Sequence, residues 1–328
     1  MVPCTGQALR AWIPVRTRGT ASSIPAVTMQ LGGVIATFLT AIMLTSPGWR
    51  VAFRLYALTG ALWAIGFAVM FRNSPEQHPW TNAAERALTR DDPPPVSAAS
   101  NAAAAASSPW WRRLGEAVVL FFTSGSLIAI SSREFFRAAV VTFMLQWFPK
   151  YLQYTRGVNE KQCAYLTGFV VLAFGLGILP GGWMVDRFYK TTGSKWVSRS
   201  LFPACAFAGC GICITSSLAV SGPIMTVVLI ALGMFMAGSM LPAVWSGVLD
   251  IGGRRSGIVL GFSNMMGTTG DALSNLACGR LADLIKLNSW NWNWFLVPII
   301  AYNLLGAVIS LLFNPDRPVP ENKLRSVE

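Results

Sequence analysis

Long apolar stretches, separated by shorter polar segments, run along most of the chain. A membrane-spanning helix needs about 20 mostly apolar residues. Seven stretches satisfy this requirement: residues 24–45, 51–71, 164–185, 201–220, 223–249, 256–278 and 294–313. None alternates as a membrane β-strand does. Because backbone N–H and C=O groups in hydrocarbon must find partners within their own segment, the pattern predicts helices.

An eighth stretch, residues 123–151, is apolar at both ends and carries Arg133, Glu134 and Arg137 near its middle. A charge at the bilayer centre costs at least about 2.5–3.5 kcal/mol on insertion scales. The two arginines are four residues apart and share a helix face, and Glu134 is within reach of Arg137. These charges therefore indicate a water-filled cavity or a bound anion. Alternatively, Arg133 and Glu134 mark the end of the helix, and only Arg137 is buried.

One long polar stretch, residues 72–122, divides the spans into two groups. It contains Pro93-Pro94-Pro95 and the alanine run 102–106, which are typical of a linker. Trp110-Trp111-Arg112-Arg113 is typical of an anchor at the membrane surface. The predicted fold is an all-α polytopic membrane protein with about eight transmembrane helices. Its predicted regions are a two-helix region (1–71), a cytoplasmic linker (72–122), a six-helix half (123–315) and a cytoplasmic tail (316–328).

Composition agrees with a membrane protein, since 53% of the 328 residues are hydrophobic and only 12% are charged. Soluble domains carry about 25% charged residues. The net charge is +12, but the basic residues are scattered in the loops, which argues against nucleic-acid binding. Most of the basic residues fall on the side of the N-terminus, which predicts that both termini are cytoplasmic. We expect an integral protein of the plasma (inner) membrane.

Enzymatic and metal chemistry find little support in the sequence. Cys210 and Cys213 form a C-x-x-C pair inside an apolar run, which favours packing of small residues over redox chemistry. His78 is the sole histidine and lies in a polar segment. We therefore expect no enzyme activity, no cofactor and no metal site.

A loop motif follows the fourth predicted span. Gly182, Asp186, Arg187 and Lys190 have the spacing G-x-x-x-D-R-x-x-K, in what reads as a short turn between two helices. An ordinary charged loop is the alternative. The spacing resembles the loop signature of the major facilitator superfamily. This resemblance implies that Gly182, Asp186 and Arg187 act in gating and not in substrate binding.

A denser set of motifs is similar to the anion:cation symporter family of that superfamily, the hexuronate and galactonate transporters with vesicular glutamate transporters as relatives. The matching residues are Trp12-Ile13-Pro14, Arg18-Gly19-Thr20-Ala21, Gln30-Leu31-Gly32, Gly48-Trp49-Arg50 with Phe53, Phe148-Pro149-Lys150-Tyr151-Leu152, and Ser256-Gly257 with Gly261, Asn264 and Gly267. The resemblance implies that the spans correspond to helices 5–12 of a twelve-helix fold whose substrate site lies between two six-helix halves.

The resemblance also suggests roles for individual residues. Arg137, together with Arg133, would bind the carboxylate of an anionic substrate, and Asn264 would bind its hydroxyl groups. Gln30 would contact substrate or, alternatively, hydrogen-bond another helix. Glu134 and Asp271 are candidates for proton coupling because they are acids within apolar stretches, and not because of the resemblance, since the family more often has glycine at the position of Asp271. Asp271 could equally pair with an arginine of another helix.

The function predicted from these observations is secondary transport of a small organic anion, such as a sugar acid, by cation symport, with the proton as the expected cation. The expected partners are this substrate, the coupling cation and the lipid bilayer. A different class of function is the alternative: a truncated fragment that does not transport, or an assembly partner of a transporter.

Overall fold

The computed structural model of the chain describes residues 2–45, 49–72, 75–88 and 110–319. Regular structure in these residues is helical throughout. We number the α-helices in chain order: α1 (Val2–Trp12), α2 (Arg18–Thr45), α3 (Trp49–Met70), α4 (Ala83–Leu88), α5 (Trp110–Thr123), α6 (Gly125–Gln146), α7 (Phe148–Arg156), α8 (Glu160–Thr192), α9 (Phe202–Leu218), α10 (Pro223–Ser239), α11 (Leu241–Gly252), α12 (Ser256–Leu287) and α13 (Val297–Leu312).

Five helical segments of the described residues are long and apolar enough to cross a membrane: Arg50–Met70, Gln162–Thr192, Val197–Leu218, Pro223–Gly252 and Trp292–Leu312. The other predicted spans, residues 24–45, 123–151 and 256–278, are helical as well. They form α2, α6 with α7, and α12. Both α6 and α12 carry polar and charged side chains within their length, which lowers their hydropathy. The prediction of an all-α polytopic membrane protein is confirmed.

Local sequence explains where several helices begin and end. The Ser124 hydroxyl accepts a hydrogen bond from the Leu127 N–H at the start of α6, and the Asn159 side chain accepts one from Gln162 N at the start of α8. Gly157 ends α7 and Gly193 ends α8, with φ angles of 63° and 66°. Glycine reaches these left-handed angles without the steric cost that a Cβ would add.

Some predicted boundaries were wrong. The expected turn at residues 182–190 is helical, because α8 continues to Thr192. The predicted span 223–249 lies within the segment Pro223–Gly252, which is long and apolar enough to cross a membrane, but its helix is interrupted at Met240, between α10 and α11. Residues 1–71 hold the short helix α1 in addition to α2 and α3, which cover the two predicted spans.

The predicted linker, residues 72–122, contains the short helix α4 and the helix α5, which begins at Trp110. Pro93-Pro94-Pro95 and the alanine run lie outside the described residues.

Small residues bring the helices of the second group into close backbone contact. A Cβ added to Gly177 or Gly181 of α8 would lie 2.0–2.1 Å from carbonyl oxygens of α10, so these two helices touch through their backbones. Cys210 and Cys213 of α9 pack in the same way against Gly233 of α10, as predicted for small residues in a helix interface. The resulting apolar core includes Phe143, Phe207 and Phe295, which are fully buried.

The first group of helices attaches to the second through α2. This helix packs against α8 and α11, whereas α1 packs against α12. In contrast, α3 has its principal contact with α2, and its membrane-spanning window is not buried inside the described structure. Most of the apolar surface of α3 is consequently exposed.

Candidate functional site

Glu134 and Arg137 form an ion pair on α6, one turn apart. Arg137 Nε donates to Glu134 Oε2 at 2.9 Å, and Arg137 Nη2 donates to Glu134 Oε1. Both carboxylate oxygens therefore meet the Nε–Nη2 edge of the guanidinium, which is the bidentate geometry that arginine offers to carboxylates. The two side chains are 13% and 12% exposed. The pair is thus mostly buried, and a small part of each side chain stays exposed.

The neighbouring helix α12 adds a second carboxylate to this pair. Thr142 of α6 donates from its hydroxyl to Asp271 Oδ1 at 2.5 Å, and Asp271 acts electrostatically on Arg137. We call Glu134, Arg137, Thr142 and Asp271 the open cluster. It brings together two carboxylates and one guanidinium, so a negatively charged ligand must compete with Glu134 for Arg137.

Glycines on α12 set the depth of the open cluster. A Cβ on Gly270 would lie 2.3 Å from the Phe135 carbonyl oxygen, and one on Gly267 would lie 3.2 Å from Cγ of Glu134. The α6 backbone can therefore approach α12 closely, and the Glu134 side chain occupies the space that a larger residue at position 267 would fill. Glycine at these two positions therefore allows the close approach of α6 and α12 at the open cluster.

A polar stripe continues from Asp271 along α12. Asn275 accepts a hydrogen bond from Trp147 Nε1 at 2.9 Å. Asn264 lies on the same side of the helix, seven residues before Asp271, and is exposed. Gln30 is half-buried on α2, four residues beyond Ala26 of the main core. In the described part of the chain, no hydrogen bond or ion pair joins Asn264 or Gln30 to the open cluster.

Arg133 lies apart from Arg137, although the two were predicted on one face. It is fully buried, its Nη1 donates to the Arg199 carbonyl oxygen at 2.7 Å, and its guanidinium lies 5.3 Å from the centre of the Phe313 ring. The structure therefore does not bring the two predicted arginines to one site.

A second group of charges surrounds Asp250, at the end of α11. Arg199 Nε donates to Asp250 Oδ2 at 3.0 Å, and Arg18 Nη1 donates to Asp250 Oδ1 at 3.4 Å. The side chains of these three residues are at most 3% exposed. We call Arg18, Arg133, Arg199 and Asp250 the arginine cluster. Sequence reasoning missed Asp250, whose only signal was an acid directly after the predicted span 223–249.

The predicted gating residues join α8 to the start of α2. The Asp186 carboxylate accepts hydrogen bonds from Gly19 N at 2.8 Å, Thr20 N at 2.7 Å and the Thr20 hydroxyl at 2.6 Å. Asp186 thus binds the N-terminus of α2, where helical N–H groups and the helix dipole favour an anion.

The other two gating residues differ in their surroundings. A Cβ on Gly182 would lie 2.7 Å from the Gly19 carbonyl oxygen, so this glycine allows the close contact between α8 and α2. Arg187 is exposed.

Among the described residues, no group of three or more His, Cys, Asp or Glu side chains could hold a metal ion. The open cluster offers a partly exposed guanidinium and two carboxylates, and a polar stripe on α12 lies beside them. A guanidinium in such an arrangement can bind an organic anion.

Comparisons with known proteins agree on one family. The sequence profile described as Major Facilitator Superfamily matches residues 1–275. The chain is 26% identical to a probable sulfoacetate transporter of Cupriavidus necator over 95% of the chain and 69% of the relative. It is 23% identical to a hexuronate transporter of Bacillus subtilis over 83% of the chain and 60% of the relative.

A D-galactonate transporter of Escherichia coli is 28% identical over 58% of the chain and 43% of its own length. The chain therefore spans between about two fifths and two thirds of these three relatives.

Proposed function

The chain belongs to the major facilitator superfamily, and we propose that it acts in secondary transport of a small organic anion. The observation that carries this proposal is the Arg137–Glu134 pair, a bidentate guanidinium that stays partly exposed inside an apolar helix bundle. Relatives are named as transporters of sulfoacetate, hexuronate and D-galactonate. All three are carboxylates, which suit the edge of Arg137 that Glu134 now occupies.

We propose that a sugar acid is the substrate and that protons drive its uptake by symport. The substrate carboxylate and the Glu134 carboxylate compete for the same two nitrogens of Arg137. Protonation of Glu134 removes its negative charge and weakens its hold on Arg137. A proton on Glu134 therefore favours substrate binding, and substrate on Arg137 favours protonation, which is reciprocal coupling between two ligands.

Asp271 holds the second carboxylate of the cluster. It lies against Thr142 and close enough to act on Arg137. When substrate replaces Glu134, the cluster gains negative charge unless a carboxylate takes up a proton, so Asp271 is the second candidate for the coupling proton. The polar stripe beyond it, with Asn264 exposed, supports a role in binding hydroxyl groups of the substrate, and we assign Gln30 to the facing side of the same site.

We propose that the arginine cluster and the contact of Asp186 with α2 lie on the cytoplasmic side of a plasma membrane, with both termini on that side. The contact supports gating, because α2 and α8 cannot separate at this end without breaking the three hydrogen bonds to Asp186.

The experiment uses the purified chain in proteoliposomes and follows uptake of radiolabelled D-galactonate and D-glucuronate with an inward proton gradient. We expect Arg137→Ala to abolish uptake while the protein is still recovered in the membrane, and exposed Arg317→Ala to retain it. Uptake unchanged in Arg137→Ala would remove Arg137 from the site. In Glu134→Gln, we expect substrate binding that no longer rises as the pH falls.

A non-transporting assembly partner is the second candidate function, and the unburied face of α3 favours it. In that case, proteoliposomes with the chain alone would show no uptake, whereas detergent-solubilised protein would still bind the radiolabelled substrate through Arg137. Absence of both uptake and binding would contradict the proposed site itself.

A further inference from the structure

The arginine cluster contains hydrogen-bond donors that the protein leaves unused. Nε and Nη2 of Arg133, and Nη2 of Arg199, make no hydrogen bond within the described residues, although both side chains are completely buried. A buried polar group without a partner costs free energy, and a charged one costs more. The two buried guanidinium groups therefore need a further hydrogen-bond acceptor or a further negative charge.

The unused donors of Arg133 lie on one edge of its guanidinium. Its Nη1 already donates to the Arg199 carbonyl oxygen. The remaining two nitrogens, Nε and Nη2, form the side of the guanidinium that binds anions. Arg137 uses the same edge for Glu134. An anion-binding edge is thus present in Arg133 without an acidic side chain upon it.

The charges around Arg133 also favour an anion. Asp250 is the acid of the cluster, and it already binds Arg199 and Arg18. Asp186 takes its three donors from α2, and Glu134 is held by Arg137. The arginines instead lie against aromatic rings: Phe313 near Arg133 and Tyr189 near Arg199, at 5.3 and 5.5 Å. A cation–π contact offsets only part of the free-energy cost of burying a cation.

We infer that the arginine cluster binds a small monovalent inorganic anion at the Nε–Nη2 edge of Arg133, with Nη2 of Arg199 as a further unused donor of the same cluster. The occupant must be small because neither side chain is exposed to solvent. It would offset one of the two excess positive charges of the cluster, close to where Phe313, directly after α13, accepts a hydrogen bond from Ser200 of the π-helical turn Val197–Leu201. Arg133 is within electrostatic reach of Glu134 and Arg137, but its hydrogen bond goes to Arg199 and not to the open cluster. The proposed anion site does not depend on the proposed substrate.

The test measures thermal unfolding of the purified full chain by tryptophan fluorescence. Chloride or bromide is titrated against sulfate at constant ionic strength. We expect a saturable rise of roughly 2–4 °C with the two halides and no such rise with the larger, divalent sulfate. Arg133→Lys keeps the charge but loses the bidentate edge, so the halide effect should disappear. The control Arg187→Lys changes an exposed arginine and should keep it.

Equal shifts with halide and sulfate, or a full halide effect in Arg133→Lys, would overturn the inference. If Arg133→Lys does not fold, binding of radioactive chloride to the wild-type protein decides the question, and absence of saturable binding overturns it. The variant Arg137→Lys separates this site from the proposed function. It should lose D-galactonate binding and keep the halide effect.

Discussion

The open cluster and the arginine cluster each contain an arginine that is paired with a carboxylate, but the two pairs differ in their exposure and in the helices that they connect. In the open cluster, Arg137 and Glu134 are 13% and 12% exposed, and the arginine is paired within its own helix. In the arginine cluster, Arg199 and Asp250 are at most 1% exposed and join different helices. A pair inside one helix can open without separating helices, whereas a pair between helices cannot. The first suits a ligand site and the second suits an attachment between helices.

The largest expected effect comes from removing the shared acid of the arginine cluster. Asp250→Ala leaves Arg18 and Arg199 buried without their carboxylate, and breaking a buried ion pair from one side costs about 3–5 kcal/mol. We expect a large drop in the thermal unfolding temperature and poor recovery of folded protein. The exposed Asp316→Ala is the matched control. An unchanged unfolding temperature in Asp250→Ala would mean that these ion pairs do not hold the helices together.

The next largest loss of stability is expected from substitutions at the close contact between α6 and α12. Gly270→Ala places a Cβ 2.3 Å from the Phe135 carbonyl oxygen, and such overpacking costs about 1–3 kcal/mol. Gly261→Ala, on the same helix, meets no atom within 4 Å and should be neutral or stabilising by up to about 1 kcal/mol. Thermal unfolding of the two variants side by side measures the difference. Equal stabilities would show that α6 and α12 are not held at close contact.

A smaller effect is expected where Asp186 meets α2. Asp186→Asn keeps hydrogen-bond acceptance by one oxygen but removes the charge that favours the helix N-terminus. A loss of about 1–2 kcal/mol is expected for a partly buried site of this kind. Thermal unfolding measures it, and Arg187→Gln in the next position controls for the change of surface charge. A larger loss in the Arg187 variant would contradict the assigned role of Asp186.

The sequence predicted the helical membrane fold well because lipid leaves few alternatives for an apolar segment of spanning length. Boundaries were harder to predict. The turn expected at residues 182–190 is part of α8, since no residue there ends a helix before Gly193. The break at Met240 depends on how α10 and α11 pack, which hydropathy along the chain does not record.

The candidate site was only partly predictable for a related reason. The spacing of Glu134 and Arg137 correctly predicted that they are in contact, because residues one turn apart meet on a helix surface. The same rule placed Arg133 beside Arg137, yet Arg133 lies against Arg199 and Phe313. Those partners are distant in sequence. The same is true of Thr142 with Asp271 and of Arg199 with Asp250, which only the packed helices bring together.

The difference between the two arginines is tested most directly by equilibrium binding of radiolabelled D-galactonate to the purified chain carrying Arg137→Lys or Arg133→Lys. A lysine keeps the positive charge of either residue but cannot offer a bidentate edge to a carboxylate. We expect at least about a tenfold loss of affinity in Arg137→Lys, which corresponds to about 1.4 kcal/mol, and affinity close to wild type in Arg133→Lys. Wild-type affinity in Arg137→Lys, or a loss confined to Arg133→Lys, would contradict the assignment of Arg137 as the anion-binding residue.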